Sequence, residues 1–115
     1  MKYMCLVIID EALANSMEQS DWAAMGEQSQ AYDQSLIDSG AYVHAEALQG
    51  ANTARTVRVR GGEAVMTDGP FAESKEVIGG FILIDVADHD TAMEIARNIP
   101  MARLGAIEVR PVMTF

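Results

Sequence analysis

Continuous runs of apolar residues punctuate this chain and predict its strands. Tyr3–Ile9 is a continuous apolar run rich in β-branched residues, and Gly80–Val86 is strongly apolar, which is typical of buried strands. Tyr42–Leu48 and Ala106–Val112 mix apolar with polar residues, so we expect strands with one polar face. Pro111 cannot donate to a sheet ladder, which indicates an edge position or the end of the last strand.

Two further short runs predict a β-hairpin in the middle of the chain. Thr56–Arg60 and Ala64–Thr67 flank the pair Gly61-Gly62. Tight two-residue hairpin turns require positive φ angles, which glycine adopts at no steric cost. We therefore interpret the glycine pair as a hairpin turn and not as a phosphate-binding loop.

Helical periodicity appears twice. Asp21–Ser39, with Ser20 as the expected N-cap and Gly40 as the stop, predicts the first helix. Its inward face follows a 3-4 spacing and comprises Trp22, Met25, Ser29, Tyr32 and Leu36. Asp88 can cap a second helix that ends before Pro100. The inward residues of this second helix are Ala92, Ile95, Ala96 and Ile99.

The resulting order is β-α-β, a β-hairpin, then β-α-β, within a chain of 115 residues. This order predicts an α+β fold of the ferredoxin-like split βαβ type with an extra hairpin. Two helices would cover one face of an antiparallel sheet. The length predicts a single domain over residues 1–115.

Both faces of this sheet are apolar by strand parity, because alternate residues of a strand point to opposite sides. Met4, Leu6 and Ile8 oppose Tyr3, Cys5, Val7 and Ile9, and Phe81 and Leu83 oppose Ile82 and Ile84. Two helices can cover only one of these faces. We therefore expect a symmetric homodimer in which a second copy covers the other face.

Polar residues share one parity on three other strands. On the second strand, His44 and Glu46 share a face with Tyr42 and Leu48. In the hairpin, Arg58 and Arg60 lie opposite Val57 and Val59. On the last strand, Glu108 and Arg110 lie opposite Ile107 and Val109. We expect the apolar sets to face the helices. The polar sets would then line a small-molecule cavity between the two sheets, or form a solvated face with cross-strand ion pairs.

Charge and composition exclude several classes of function. The net charge of −9 argues against binding to nucleic acids or to anionic membranes, which both need clustered Lys and Arg. The apolar run near the N-terminus is short for a secretion signal, and Asp10 and Glu11 separate it from the A-x-A site at Ala12–Ala14, so we expect a cytoplasmic protein and not a secreted one. Cys5, the one cysteine, and two distant His residues match no zinc spacing, and we expect neither a metal nor an organic cofactor.

The segment Thr67–Glu76, TDGPFAESKE, followed by Ile78-Gly79-Gly80-Phe81, resembles the DGPF branch of the YCII-related family. The opening MKYM and the closing Ile107–Val112 are similar to that branch too. The resemblance implies a dimeric α/β barrel of ferredoxin-like subunits, and a regulatory context through association with extracytoplasmic-function sigma factors. It also implies acid/base chemistry by a His and an Asp, the latter matched by Asp68. The matching helix stretch, Glu27–Gln30, contains no His.

Asp68 has two interpretations. It could act as a general acid or base tuned by Lys75, with His44 or Glu46 as its partner. It could instead fix the turn by accepting a backbone N–H from Phe71 or Ala72. The candidate ligand-binding residues are Phe71, Lys75, Arg58, Arg60, Glu108 and Arg110.

Two functions remain open from the sequence. The first is a small-ligand-binding or regulatory dimeric module. The second is a cofactor-independent enzyme that uses Asp68 with His44 or Glu46 in the cleft between the sheets.

Overall fold

The computed structural model describes all 115 residues as a mixed α+β fold. The strands are β1 (Lys2–Asp10), β2 (Tyr42–Ala47), β3 (Arg55–Arg60), β4 (Glu63–Asp68), β5 (Glu76–Asp85) and β6 (Gly105–Pro111). The helices are α1 (Glu11–Asn15), α2 (Gln19–Ser39) and α3 (His89–Arg97), with 3-10 turns at Ala51–Thr53 and Pro100–Leu104. Four strands form an antiparallel sheet in the order β2-β5-β1-β6. This order confirms the ferredoxin-like prediction.

The core lies between one face of this sheet and the two longer helices. Tyr3 and Cys5 of β1 and Ile82 and Ile84 of β5 are buried there. The helices contribute Leu36 from α2 and Ala92 and Ala96 from α3, which are also buried. Ile107 and Val109 of β6 pack against the same cluster, as the strand parity predicted.

Cys5 is fully buried in this core, with none of its surface exposed. Burial disfavours the thiolate and raises the pKa of Cys5 to about 11. The thiol is therefore a packing group and not a nucleophile.

The opposite face of the sheet carries a second apolar surface. Leu6 lies beside Phe81, and Met4 lies beside Leu83, at the centre of this face. None of these side chains belongs to the core cluster that the helices cover. We call this surface, formed by Met4, Leu6, Ile8, Phe81 and Leu83, the outer face.

The chain is a flat slab. Its dimensions are 46 × 44 × 18 Å and its radius of gyration is 15.9 Å, whereas a compact chain of this length has a radius of roughly 13 Å. Only 14 of the 115 residues are buried. A sheet covered by a single helical layer has this thickness, so the outer face has no cover within the chain.

A bulge in β2 overturns one predicted grouping. Tyr42 pairs with Ile84, but the next paired residue, His44, lies opposite Leu83, because the register shifts between Tyr42 and His44. Tyr42 therefore packs against the core while His44 lies on the outer face. The expectation that these two residues share a face was wrong, since strand parity holds only while the register is continuous.

The hairpin also departs from the prediction. β3 and β4 pair only with each other and form a separate two-stranded sheet. Val57 and Val59 are 57% and 58% exposed and do not face the helices as expected. The turn itself is confirmed, because Gly61 and Gly62 have φ angles of 57° and 82°, which suit a tight hairpin turn.

Local capping explains the helix boundaries. Glu18, not Ser20, precedes α2, because its N–H donates to Oδ2 of Asp21 at 3.0 Å in a capping box. Gly40, at φ 82°, ends α2 as predicted. Asp88 caps α3 through the N–H of Thr91 at 2.8 Å, also as predicted. The short helix α1 was not predicted, and Asp10 caps it.

No helix in the structure combines the length and the hydrophobicity that crossing a membrane requires.

Candidate functional site

A cleft of about 340 Å³ lies on the helix side of the sheet, beside α2. Its walls come from α2, from the adjacent strands β2 and β5, and from the turn at Ile99–Met101. A second depression of about 460 Å³, around Arg97 and Arg103, is shallow and polar with seven lining residues. Ligand sites are typically concave and mostly apolar. The cleft beside α2 is therefore the candidate site.

One stripe of α2 forms the cleft wall. Trp22, Gly26, Ser29 and Asp33 recur at 4-3-4 spacing, so they project from the same side of the helix. Gly26 is the only one without a side chain, and a Cβ built on it would meet no atom within 4 Å. The space opposite Gly26 is open.

Small residues form the floor of the cleft. Ala45 and Ala47 of β2 and Gly80 of β5 line it, and none of them carries a side chain longer than a methyl group. Gly80 is required for a second reason, because a Cβ there would lie 2.6 Å from the carbonyl oxygen of Glu46. The close approach of β2 to β5 and the room in the cleft therefore depend on the same glycine.

Asp33 is the polar group that distinguishes the cleft. It lies in the interior of α2 and is partly buried, and its side chain makes no hydrogen bond or ion pair within the chain. Burial disfavours its charged form and raises the pKa of the Asp33 carboxyl above its ordinary value. An unpaired, partly desolvated carboxylate can accept a hydrogen bond from a ligand.

The outer face holds four of the residues predicted from the sequence, in two pairs. His44 Nε2 and Glu46 Oε2 lie 3.1 Å apart on β2, and the imidazole is 6.0 Å from the ring of Phe81. Nε of Arg110 donates to Oε2 of Glu108 at 3.1 Å on β6. These pairs stand at the two edges of the sheet, on either side of the apolar centre of the outer face.

The hairpin and the loop after it hold the other predicted residues. Nε of Arg55 lies 3.2 Å from Oδ1 of Asp68, whose side chain is 93% exposed. The turn interpretation of Asp68 was wrong in its detail, because the carboxylate pairs with Arg55 and accepts no backbone N–H. The N–H of Gly69 donates to the Ala54 carbonyl at 2.8 Å, which extends the pairing of β3 with β4 by one residue beyond Asp68.

Arg58 contacts the loop Thr67–Glu76, which we call the DGPF loop. Its guanidinium lies 5.2 Å from the centre of the Phe71 ring, and its NH2 donates to the Phe71 carbonyl at 3.2 Å. Phe71 is nevertheless 79% exposed. The Lys75 carbonyl accepts the N–H of Glu11, and Arg60 donates to the Val59 carbonyl. The loop is thus held to its hairpin through Arg58 and to the start of α1 through the Lys75 carbonyl, and it presents an aromatic ring at its surface.

A single chain brings together His44 with Glu46, Glu108 with Arg110, and Arg58 with Phe71, but not Asp68 with His44. Asp68 belongs to the hairpin and His44 to the main sheet, and each has another partner. Their joint catalytic role stays a prediction. The structure contains no group of three or more His, Cys, Asp or Glu side chains placed to hold a metal ion.

Sequence reasoning missed Gly26 and Asp33. It placed Trp22 and Ser29 on the core face of the first helix, whereas they line the cleft beside that face. A glycine in the interior of a long helix and a carboxylate four residues after Ser29 were the available signals.

Comparison with known proteins identifies relatives over the whole chain. The sequence profile of the YCII-related domain matches residues 1–115. An uncharacterised protein of Rhizobium meliloti (strain 1021) is 32% identical over 117 residues, which span 100% of this chain and 94% of that protein. The fold is similar to that of the 5-chloro-2-hydroxyhydroquinone dehydrochlorinase TftG from Burkholderia phenoliruptrix AC1100, solved in complex with 2,5-dihydroxybenzoquinone. The TM-score is 0.55 with 15% identity, over 98% of this chain and 94% of that one.

The raised pKa of Asp33 predicts a pH-dependent stability. Folding disfavours the ionised carboxylate, so the chain loses stability as the pH rises from the ordinary aspartate pKa through the raised one. Asp33→Asn should remove this penalty and raise the Tm at neutral pH by roughly 1–4 °C. The gain in Tm should vanish below about pH 3.5, where the Asp33 carboxyl is largely protonated in both the folded and the unfolded wild-type chain.

Thermal denaturation at several pH values checks this. Asp38→Asn, an exposed aspartate on the same helix, controls for the loss of one negative charge from α2. A Tm of Asp33→Asn below that of the wild type at neutral pH would contradict the account.

Proposed function

Because the chain belongs to the YCII-related domain family, we propose that it is a homodimeric module that binds a small, largely apolar molecule in the cleft beside α2 of each subunit. The open space opposite Gly26 carries the proposal. In the interior of a helix, glycine is about 1 kcal/mol less favourable than alanine. Since no neighbouring atom would obstruct a Cβ at this position, packing gives no reason for the glycine.

The composition of the cleft supports the same function. Its lining is mostly apolar, with Trp22 and Met25 on α2 and Ile82 on β5, and its polar side chains are few. Sites for small molecules combine apolar walls with a small number of polar groups that orient the ligand. The structural neighbour TftG, which shares the fold, was solved with 2,5-dihydroxybenzoquinone, a small planar ring.

Filling the cleft tests the proposal. Gly26→Leu should place a branched side chain in the open space and weaken binding of 4-phenylbutan-1-ol, a neutral probe, at least tenfold. Gly26→Ala is the matched control, and it should retain binding while stabilising the chain by about 1 kcal/mol. The quenching or shift of Trp22 fluorescence measures binding, because Trp22 is the one tryptophan and lines the cleft.

If Gly26→Leu and Gly26→Ala bound the probe with equal affinity, the assignment of the ligand to this cleft would be refuted.

The dimer follows from the outer face. Monomers rarely expose contiguous apolar patches of more than a few hundred Å². Here Leu6 and Phe81, at the centre of the sheet, are only partly buried, and neither belongs to the core that the helices cover. Burying apolar surface is worth about 25 cal/mol per Å², before the cost of association. A second copy packed sheet to sheet covers this face and leaves the pairs His44–Glu46 and Glu108–Arg110 at its rim.

A charge at the centre of the outer face should break the dimer. Leu6→Glu would bury a carboxylate without a partner between the two sheets, which is strongly unfavourable. The expected result is a monomer, or an unfolded chain, at micromolar concentration in light scattering with circular dichroism.

Ile37→Glu is the control, because Ile37 is an exposed apolar residue on α2, on the helix side of the sheet. It should remain a dimer. A wild type that is a folded monomer at the same concentration would exclude the sheet-packed dimer.

A second candidate function is acid/base catalysis without a cofactor, and the His44–Glu46 pair favours it. A carboxylate that bonds an imidazole orients it, as in the base and orienting group of many active sites. In the dimer this pair lies at the rim of the space between the two sheets, where the sequence predicts the catalytic site.

The DGPF-branch assignment, with its association with a sigma factor, stays a prediction from the loop Thr67–Glu76.

Chloride release from 5-chloro-2-hydroxyhydroquinone, the compound named for the structural neighbour, is the assay for the catalytic candidate. If the pair acts as a base, His44→Ala should lower turnover at least a hundredfold. His89→Ala removes an imidazole that lies 5.9 Å from the Tyr3 ring at a tilted angle, far from the pair, and it should keep the turnover. Turnover that is unchanged in His44→Ala would exclude the pair as the catalytic base.

A further inference from the structure

The charged groups of the cleft are all acidic. Asp33 and Glu46 are the ionisable acids among its sixteen lining residues, and none of the sixteen is Lys, Arg or His. The Glu46 carbonyl oxygen lies beside Gly80 at the floor of the cleft, but the Glu46 carboxylate lies on the outer face, 3.1 Å from His44. Asp33 is therefore the one carboxylate in the cleft, and it has no partner in the chain. An anionic ligand would meet a like charge there and no cation among the lining residues, because Arg103, which contacts Met25 Sδ at 3.5 Å, lies outside the lining.

The position of Asp33 on α2 determines how far its carboxylate lies from the open space at Gly26. Asp33 follows Gly26 by seven residues, and the helix rises 1.5 Å per residue, so their Cα atoms lie roughly 10 Å apart along α2. Helical side chains tilt toward the N-terminus, which brings the Asp33 carboxylate closer to the level of Gly26. Trp22 lies one turn beyond Gly26 on the same stripe. The apolar space is thus at one end of the cleft and the acceptor is at the other.

Resting on the proposed function, we infer that the cleft selects an elongated ligand with an aromatic or other flat apolar group at the Trp22–Gly26 end and a cationic or neutral hydrogen-bond donor at Asp33. A primary amine three or four methylene groups from a ring has this shape. A donor at Asp33 gives the unpaired carboxylate the partner that the chain lacks. Burial of Asp33 disfavours its charged form and raises its pKa. A bound cation therefore stabilises the charged form of Asp33 more than it would stabilise that of an exposed aspartate.

Three probes of equal length and different charge test this inference. They are 4-phenylbutylamine, 4-phenylbutan-1-ol and 4-phenylbutyrate, which are cationic, neutral and anionic at pH 7.5. Trp22 fluorescence titration at fixed ionic strength gives a Kd for each. The wild type should bind the amine at least tenfold more tightly than the butyrate, with the alcohol between them.

Asp33→Asn should reduce that ratio to below about threefold and leave the alcohol affinity within threefold of wild type, because only the charge is lost. A structural role of Asp33 would instead change all three affinities together. Glu46→Gln is the second variant, and it should keep the preference for the amine.

The outcomes separate this inference from the proposed function. Equal affinity for the amine and the butyrate, or a ratio that is unchanged in Asp33→Asn, would overturn the selectivity and leave the cleft as a ligand site. Failure of all three probes to bind at millimolar concentration would overturn both.

Discussion

The rest of this structure depends on a sheet that is apolar on both faces and covered by helices on one. Residues of β1 and β5 alternate between the core and the outer face, and both sets are hydrophobic. The helices supply a single layer, which leaves a slab 18 Å thick. Every functional element is placed relative to this asymmetry. The cleft lies on the covered side, and the two ion pairs lie on the uncovered side.

Much of this fold could be predicted from local signals. The apolar runs located β1 and β5, the glycine pair located the hairpin turn, and Asp88 and Gly40 marked helix boundaries correctly. Each signal acts within a few residues of the chain. The bulge between Tyr42 and His44 and the separation of the hairpin from the main sheet are tertiary outcomes instead. They follow from how β2 aligns with β5, which no short window of sequence determines.

The candidate site was harder to predict for the same reason. The cleft exists where a helix stripe with a missing side chain, at Gly26, faces strand positions that are also small, such as Ala45 and Gly80. Periodicity assigned Trp22 and Ser29 to the core because they lie next to Met25 and Tyr32 on the helix surface. The residues that sequence patterns emphasised, in the loop Thr67–Glu76, lie instead on an exposed arm whose ring and carboxylate contact the arm's own arginines.

Two residues of α2 run against the stability of the helix that contains them. Gly26 lowers helix propensity, and Asp33 places an unpaired carboxylate against an apolar cleft. Departures of this kind are expected at functional sites, where stability is exchanged for an open or polar surface. Their coincidence on one stripe is what distinguishes the cleft from an ordinary packing defect.

The central claim is that a second copy covers the outer face, which the helices of the chain leave open. Isotope-filtered NMR on an equimolar mixture of methyl-labelled and unlabelled chains tests it most directly. The account predicts intermolecular NOEs from the methyl groups of Met4, Leu6 and Leu83 to the partner chain. Intermolecular NOEs that are absent, or confined to the hairpin valines Val57 and Val59, would contradict it.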